Sequence, residues 1–281
     1  MFIRVFNGAV RATWSYAEVV RNGDVETEIC VEVKRRAHRV RSGRKLAQER
    51  DDWVKQLAQA LHNYREIMGD SGNSAQLVIP ESLRNWPIYT LSALKLPAFN
   101  SAEQDRSAAS LYRLTGLGLK DTYLLLYPRI YRIDNLLRQL QEPGSSENPG
   151  ALPDLVPAAS SVLLEEGAYL MDNGDILGLR IGPKAPISFL SDALGVNSYE
   201  EVRHLDLHSV LPRRNSELNS RLQRIIGTIL AKNNGKYQAL QLFLDSESLQ
   251  GFTVEDRTAS TASFSEFLLS LHRQVLALIG F

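Results

Sequence analysis

Hydrophobic residues recur at helical spacing through much of the first half of the chain. After Asp24, a residue suited to an N-cap, apolar residues follow every four positions from Val25 to Ala37. A second apolar stripe, at spacings of three, four and seven, covers about Lys45–Met68. Both patterns predict amphipathic helices that bury one face.

Prolines and capping residues divide the stretch that follows. Pro80 is suited to open a short helix, and Pro87 is expected to break it and start another. Ser101 with Gln104 is a capping-box pattern that starts a further helix. We therefore predict helices throughout residues 11–116.

Two short apolar segments favour extended structure instead. Phe2–Phe6 is predicted to be a strand that pairs with a distant segment or belongs to a larger protein, because a lone strand invites aggregation. Tyr123–Tyr127, followed by Pro128, is predicted to be a buried extended segment.

The pattern changes after a linker at Glu142–Pro157, which holds four prolines and two glycines. Beyond it, Ala168–Met171 and Ile176–Ile181 flank Asn173-Gly174, a strong signal for a hairpin. The sequence then predicts helices at Phe189–Leu194, closed by Gly195, at Ser216–Lys232 and at Phe264–Ile279, and a strand covered on both faces at Tyr237–Leu244. A helical part is thus followed by a mixed α/β part.

Composition narrows the class of protein. The 281 residues are 44% hydrophobic and 23% charged, with 32 Lys+Arg against 32 Asp+Glu. No overall field attracts nucleic acid, so any electrostatic function depends on local clusters. Cys30 is the single cysteine, so no internal disulfide can form. No signal peptide is evident, and no apolar run approaches the roughly 20 residues that span a bilayer. The simplest location is the cytosol.

The sequence contains no phosphate-binding loop and no nucleophile elbow. His204 and His208 lie four positions apart with Asp206 between them, but zinc needs at least three protein ligands. Alternating apolar residues around them favour a surface loop or edge strand.

The other acidic groups have simple structural explanations. Asp172 and Asp175 flank the Asn-Gly turn, where aspartate is favoured. Glu255, Asp256 and Arg257 could form an acid–base group, although tying down the start of the last helix is favoured. We predict no catalytic residue, no metal ligand and no cofactor-binding residue.

The densest charge cluster is Lys34–Lys45 (KRRAHRVRSGRK), which contains no acid. A solvated helix end is one interpretation, since cations near a helix C-terminus are favoured. Contact with acidic lipid is the functional alternative, at about 1 kcal/mol per basic side chain. A nucleic-acid patch ranks lower because no aromatic residues are interleaved. A nuclear import signal is a further alternative, but short basic runs of this kind are common and therefore weak evidence. The predicted lipid contacts are Lys34, Arg35, Arg39, Arg41, Arg44 and Lys45.

Short blocks along the chain carry a family resemblance. They include IRVFN at residues 3–7, QLVIPE at 76–81, PIYTL at 87–91, YPR at 127–129, GAYLMDNG at 167–174 and VEDR at 254–257. In this order and spacing the chain resembles, over residues 2–279, the C-terminal part of the cargo-adaptor subunit of the inner COPII vesicle coat.

The resemblance implies an α+β fold, in which an all-α helical domain precedes a gelsolin-like α/β sandwich domain. The expected bounds are a remnant β-strand of a preceding β-sandwich at 1–7, the helical domain at 8–141, the linker at 142–157 and the gelsolin-like domain at 158–281. The family's zinc finger and trunk domain have no counterpart here, so no zinc is expected.

The resemblance also implies a function by binding, not catalysis, in transport from the endoplasmic reticulum to the Golgi. Expected partners are other COPII subunits, cargo proteins and acidic membrane, but not nucleic acid. The expected location is cytoplasmic and peripheral, on the endoplasmic reticulum membrane and COPII vesicles. Alternatives are a gelsolin-like actin regulator and a truncated product without independent function.

Overall fold

The computed structural model describes residues 2–6, 9–13, 23–68, 77, 79–141, 151–205, 211–233, 238–244, 249 and 251–279. The chain divides into two compact units. One, the helical unit, comprises Met1–Leu126 and Glu255–Phe281, and the other, the sheet unit, comprises Tyr127–Val254.

The described residues form seven strands and eleven α-helices. The strands are β1 Phe2–Phe6, β2 Ala9–Thr13, β3 Arg129–Arg132, β4 Leu155–Val156, β5 Ala168–Asp172, β6 Leu177–Ile181 and β7 Leu240–Phe243. The helices are α1 Val25–Arg41, α2 Leu46–Met68, α3 Trp86–Lys95, α4 Pro97–Asn100, α5 Gln104–Gly116, α6 Leu119–Leu126, α7 Leu136–Gln141, α8 Ile187–Leu194, α9 Tyr199–Arg203, α10 Glu217–Lys232 and α11 Phe264–Ile279. Short 3-10 turns lie at Glu81–Leu83 and Ser160–Val162.

The predicted helices α1 and α2 are confirmed. The Asp24 carboxylate accepts the Glu26 backbone N–H at 3.3 Å, as an N-cap does. Ile29, Val33 and Ala37 of the α1 stripe are fully buried, and Trp53 and Leu57 of α2 are almost fully buried. The predicted turn at 69–73 lies outside the described residues.

The proline predictions are confirmed, but the capping box is wrong in detail. Pro80 precedes the 3-10 turn, and Pro87 lies in the first turn of α3. Helix α5 begins at Gln104, yet its N-cap is Glu103 and makes no side-chain cap. Ser101 instead accepts the Glu103 N–H at 3.1 Å, because it lies two residues before the N-cap position.

Two predictions of backbone conformation are wrong. The predicted extended segment at Tyr123–Tyr127 is largely helix α6, with Leu124 and Leu126 buried. A short apolar run fits either a strand or a buried helix, and here α6 packs against α1 and α3. The strand at Phe2–Phe6 is confirmed, but its partner is the adjacent β2, which lies partly in the region predicted to be helical.

The sheet unit is built on five strands in the order β4-β3-β5-β6-β7. The pairs are antiparallel except β6 with β7, which is parallel. The predicted hairpin is confirmed as β5 and β6, and Gly174 between them has φ 84°. Every residue of both strands is buried, which explains their continuous apolar character.

Both faces of this sheet are covered by apolar side chains. On one face, Leu170 and Leu179 join a core that includes Phe189 of α8 and Leu222 of α10. On the other face, Tyr169 and Met171 pack with Ile130 and Phe252. Helix α8 ends at Gly195 as predicted, with φ 74°.

The strand predicted at Tyr237–Leu244 is shorter and less covered than expected. It is β7, Leu240–Phe243, in which Leu240 is buried and Gln241 exposed. Strand β7 lies at the edge of the sheet, so its residues have fewer neighbours. Tyr237 lies outside the described residues.

The α+β fold class is confirmed, but the compact units differ from the expected domain bounds in two places. Strand β3 and helix α7 belong to the sheet unit, and α11 packs against α2 and α3 in the helical unit. Of the predicted linker, residues 142–150 lie outside the described residues and Leu155–Val156 forms β4. The domain bounds themselves stay a prediction. None of the helices in the described ranges is both long and apolar enough to span a bilayer.

Candidate interaction surfaces

Part of the basic cluster is a buried ion-pair network between α1 and α2. The Arg36 side chain is fully buried, with Nη1 2.8 Å from Glu49 Oε1 and Nε 2.6 Å from Glu32 Oε1. Its Nη2 donates to Gln56 Oε1 at 2.6 Å, and the guanidinium lies 4.8 Å from the centre of the Trp53 ring. Burial lowers the pKa of Arg36 despite these carboxylates. Arg36 therefore ties the two helices together.

Further arginines of the cluster surround the same carboxylates. Arg35 binds Glu32 through Nε and Nη2 at 2.7 and 2.8 Å. Arg39 Nη1 and Arg44 Nε lie 3.4 and 2.7 Å from the Glu49 oxygens. Burial alone would raise the pKa of Glu32, but hydrogen bonds and charges from its arginine partners lower it overall. These arginines are partly neutralised inside the protein.

The remaining cations of the cluster bind other groups or face solvent. Lys34 Nζ donates to the Leu117 carbonyl. Arg41 donates to Thr115 Oγ1 at 3.1 Å and lies 5.4 Å from the centre of the Tyr112 ring. Within the described part of the chain, the exposed Lys45 side chain has no ion-pair or hydrogen-bond partner.

The structure thus brings the predicted lipid-contact residues to one end of α1 and the start of α2. It also places Glu49 and Asp52 among them, and Asp52 pairs with Arg44. The sequence window that drew attention to the cluster ends before both acids, so their neutralising effect was missed. Glu49 and Asp52 lie in the first turns of the predicted helix α2. That position is the signal from which acids facing the basic cluster could have been predicted.

The predicted turn acids have a structural role. The buried Asp172 carboxylate accepts the Gly174 N–H at 2.9 Å, Asn233 Nδ2 at 2.9 Å and Gln238 Nε2 at 3.1 Å. These donors fix the hairpin turn to the end of α10. Sequence reasoning predicted the turn and missed the two distant amides.

The other candidate groups do not converge on a reaction centre. His204 is exposed after α9, while Asp206 and His208 lie outside the described residues. The Asp256 carbonyl accepts from Lys95, and Arg257 lies 3.2 Å from Glu266 on α11. No group of three or more His, Cys, Asp or Glu in the described ranges could hold a metal ion.

The clefts on the described surface include two of several hundred Å³. The larger, about 720 Å³, lies within the helical unit between α2, α3 and α11. Its lining mixes apolar side chains such as Leu94 and Phe267 with the charged Arg50 and Lys55. The second, about 560 Å³, lies in the sheet unit and is lined by Arg213, Arg214, Asn219, Ser220, Gln223 and Arg224. Neither cleft was predicted from the sequence.

Comparison with known proteins agrees with the family resemblance. Residues 24–124 match the family described as the Sec23/Sec24 helical domain. The chain is 29% identical over 240 residues to mouse protein transport protein Sec24A, covering 82% of this chain and 21% of that protein. It is 27% identical over 282 residues to human Sec24B, covering 97% of this chain and 22% of that protein. Over most of its length, this chain is similar to Sec24 transport proteins.

A plant relative and a solved structure extend the comparison. The chain is 24% identical over 279 residues to SEC24 B of Arabidopsis thaliana, covering 97% of this chain and 24% of that protein. The crystal structure of the human COPII-coat protein Sec24c superposes with a TM-score of 0.78 at 23% identity, over 96% of this chain and 34% of that one. This superposition shows that the chain shares the fold of that structure.

The family match and the fold coincide in the helical unit. The matched range begins at the N-cap of α1 and ends within α6. The chain spans between a fifth and a quarter of the length of these relatives. The resemblance predicted from the short sequence blocks is confirmed.

Proposed function

We propose that this chain acts as part of a cargo adaptor of the inner COPII coat, in transport from the endoplasmic reticulum to the Golgi. The observation that carries the proposal is the relatedness to Sec24 transport proteins along 97% of the chain. It would act by presenting folded surfaces, without chemistry and without a cofactor. Its partners would be other coat subunits and cargo proteins, with no role for nucleic acid.

The proposed location is the cytoplasmic side of the endoplasmic reticulum membrane and of COPII vesicles, as a peripheral protein. The names of the relatives favour transport over an actin-regulating role or a product without function. The two clefts and the exposed end of the basic cluster are surfaces on which binding could occur.

The adaptor proposal predicts recruitment by the coat. We expect the purified chain to sediment with liposomes to a greater extent when other COPII coat subunits are added. Sedimentation followed by gel densitometry measures this, with serum albumin as the control protein. Equal sedimentation with and without the coat proteins would contradict the proposal.

We further propose that Lys34, Arg35, Arg39, Arg41, Arg44 and Lys45 face acidic lipid. The support is that Arg35, Arg41, Arg44 and Lys45 are exposed at one end of the α1–α2 pair. Their attraction is reduced by Glu32, Glu49 and Asp52, whose ion pairs hold part of the cluster. Arg41 and Lys45 have no ion-pair partner in the described ranges and are the sharpest probes.

The double variant Arg41→Glu/Lys45→Glu is expected to bind vesicles containing phosphatidylserine at least about tenfold more weakly, at roughly 1 kcal/mol per basic side chain. The loss should shrink at high salt because the surface potential is screened. Arg84→Glu is the matched control, since Arg84 is an exposed arginine at the 3-10 turn of the same unit. An unchanged affinity of the double variant would reject the lipid contact.

A further inference from the structure

The cleft of the sheet unit contains a second concentration of positive charge. Arg213 and Arg214 precede α10, and Arg224, in the middle of that helix, lines the same cleft. The volume, about 560 Å³, falls within the roughly 300–1,000 Å³ of ligand pockets. All lining residues are polar, and the charged ones are all arginines.

The neutral side chains of the cleft are occupied in holding its walls. Asn219, which is 1% exposed, donates to the Ala193 carbonyl at 2.7 Å and to the Pro212 carbonyl at 2.8 Å. Its carbonyl oxygen accepts the Arg214 backbone N–H at 3.0 Å. Gln223 donates to the Leu211 carbonyl at 2.7 Å. The segment that carries the arginines is therefore fixed before any ligand arrives.

Arg214 is also positioned by the end of α8. A Cβ atom built on Gly195 would lie 2.4 Å from Arg214 Nε, and Gly195 has φ +74°. The left-handed turn and the missing side chain thus leave the space that the guanidinium fills. Arg214 therefore lies against the end of α8 and lines the cleft.

The three guanidinium groups are left with unused donors. In the described part of the chain, Arg213, Arg214 and Arg224 make no ion pair and no side-chain hydrogen bond. Asp192 and Glu217, the acids on the helices that adjoin the cleft, do not line it. This differs from the Lys34–Lys45 cluster, whose arginines face Glu32, Glu49 and Asp52.

A ligand for this cleft must bring negative charge and several acceptor oxygens. A guanidinium presents a planar fork of N–H donors that matches phosphate oxygens in a bidentate way. A phosphomonoester carries close to two negative charges and three acceptor oxygens, so it can satisfy more than one fork at once. A single carboxylate carries one negative charge and two acceptor oxygens, so it satisfies fewer of these donors than a phosphomonoester does.

We propose that this cleft binds a phosphorylated serine or threonine side chain on a partner protein. Arginine clusters are a recurring means of recognising phosphorylated segments. A protein segment suits the concave, polar cleft better than a lipid surface does, because the lining offers no apolar side chain for insertion between lipids. This inference goes beyond the adaptor proposal and does not depend on it.

The test uses the full chain and a fluorescein-labelled peptide with one phosphoserine among glycine, serine and alanine residues. We expect fluorescence anisotropy to show at least about tenfold tighter binding than for the same peptide unphosphorylated, because charge-assisted hydrogen bonds are the strong ones. Arg213→Gln and Arg224→Gln should each weaken binding of the phosphopeptide by about tenfold. These two residues are chosen because Arg214 also packs against Gly195.

Arg203→Gln is the matched control, since Arg203 is exposed on α9 outside the cleft. Its affinity for the phosphopeptide should match that of the unmodified chain, and circular dichroism should show all three variants folded. Equal affinity for the two peptides, or equal affinity of the cleft and control variants, would overturn the proposal. Binding that depends on Arg213 only with vesicles containing phosphoinositides would also overturn it, in favour of a lipid headgroup.

Discussion

Replacing Arg36 with methionine is expected to lower the free energy of unfolding of the helical unit by about 3–5 kcal/mol, as breaking a buried ion pair does. Arg36 is fully buried and contacts Glu32, Glu49 and Gln56. Methionine fills much of the space but leaves the fully buried Glu49 carboxylate with only Arg39 and Arg44, which are partly exposed. Urea unfolding followed by hydrogen exchange of α1 and α2 amides measures the change.

Arg35→Met is the matched control because Arg35 is the adjacent arginine and shares the Glu32 partner. Its side chain is 47% exposed, and exposed ion pairs contribute about 0–1 kcal/mol. The double variant Arg36→Met/Glu49→Met should be more stable than Arg36→Met alone, because it also removes the buried negative charge. Losses of equal size in Arg35→Met and Arg36→Met would show that the network does not hold α1 to α2.

Local signals predicted the elements that depend on local interactions. Helix α1 follows from the Asp24 cap and its four-residue apolar spacing, and both are seen in the structure. The β5–β6 hairpin follows from Asn173-Gly174, since few other residues allow the positive φ that this turn needs. Helix α8 follows from Gly195 for the same reason.

Elements whose form depends on distant partners were not predictable in this way. The apolar run around Leu124 fits a strand or a helix equally well, and packing against α1 and α3 decides for the helix. The position of α11 was missed for a related reason. Its stripe from Phe267 to Val275 shows that one face is buried but not which part of the chain covers it.

Prediction from the sequence has the same limit for the charged surfaces. The Lys34–Lys45 cluster stands out because its cations are adjacent in sequence, yet folding brings Glu49 and Asp52 against them. Folding also gathers three arginines that form no conspicuous cluster in the sequence into one cleft: Arg213, Arg214 and Arg224. Density of charge along the chain is therefore a poor guide to unpaired charge, because pairing is decided by helix packing and not by sequence neighbours.

The position of α11 leads to the second large expected effect. Leu271→Ala should lower the free energy of unfolding of the helical unit by about 2–5 kcal/mol, because Leu271 is fully buried and the smaller side chain leaves a cavity. Since α11 packs against α2 and α3, hydrogen exchange should become faster at amides of α2 and α3. Amides of β5 and β6 should keep their protection, because those strands belong to the other compact unit.

Leu269→Ala is the control on the same helix, since Leu269 is 58% exposed and surface substitutions usually change stability by less than about 0.5 kcal/mol. The pattern of exchange decides between two domain organisations. If Leu271→Ala weakened β5 and β6 and left α2 protected, the last helix would belong with the sheet, as the expected domain of residues 158–281 requires. Faster exchange confined to α2 and α3 would instead mean that the chain returns after the sheet to complete the helical unit, so a fragment ending before Glu255 would lack part of that core.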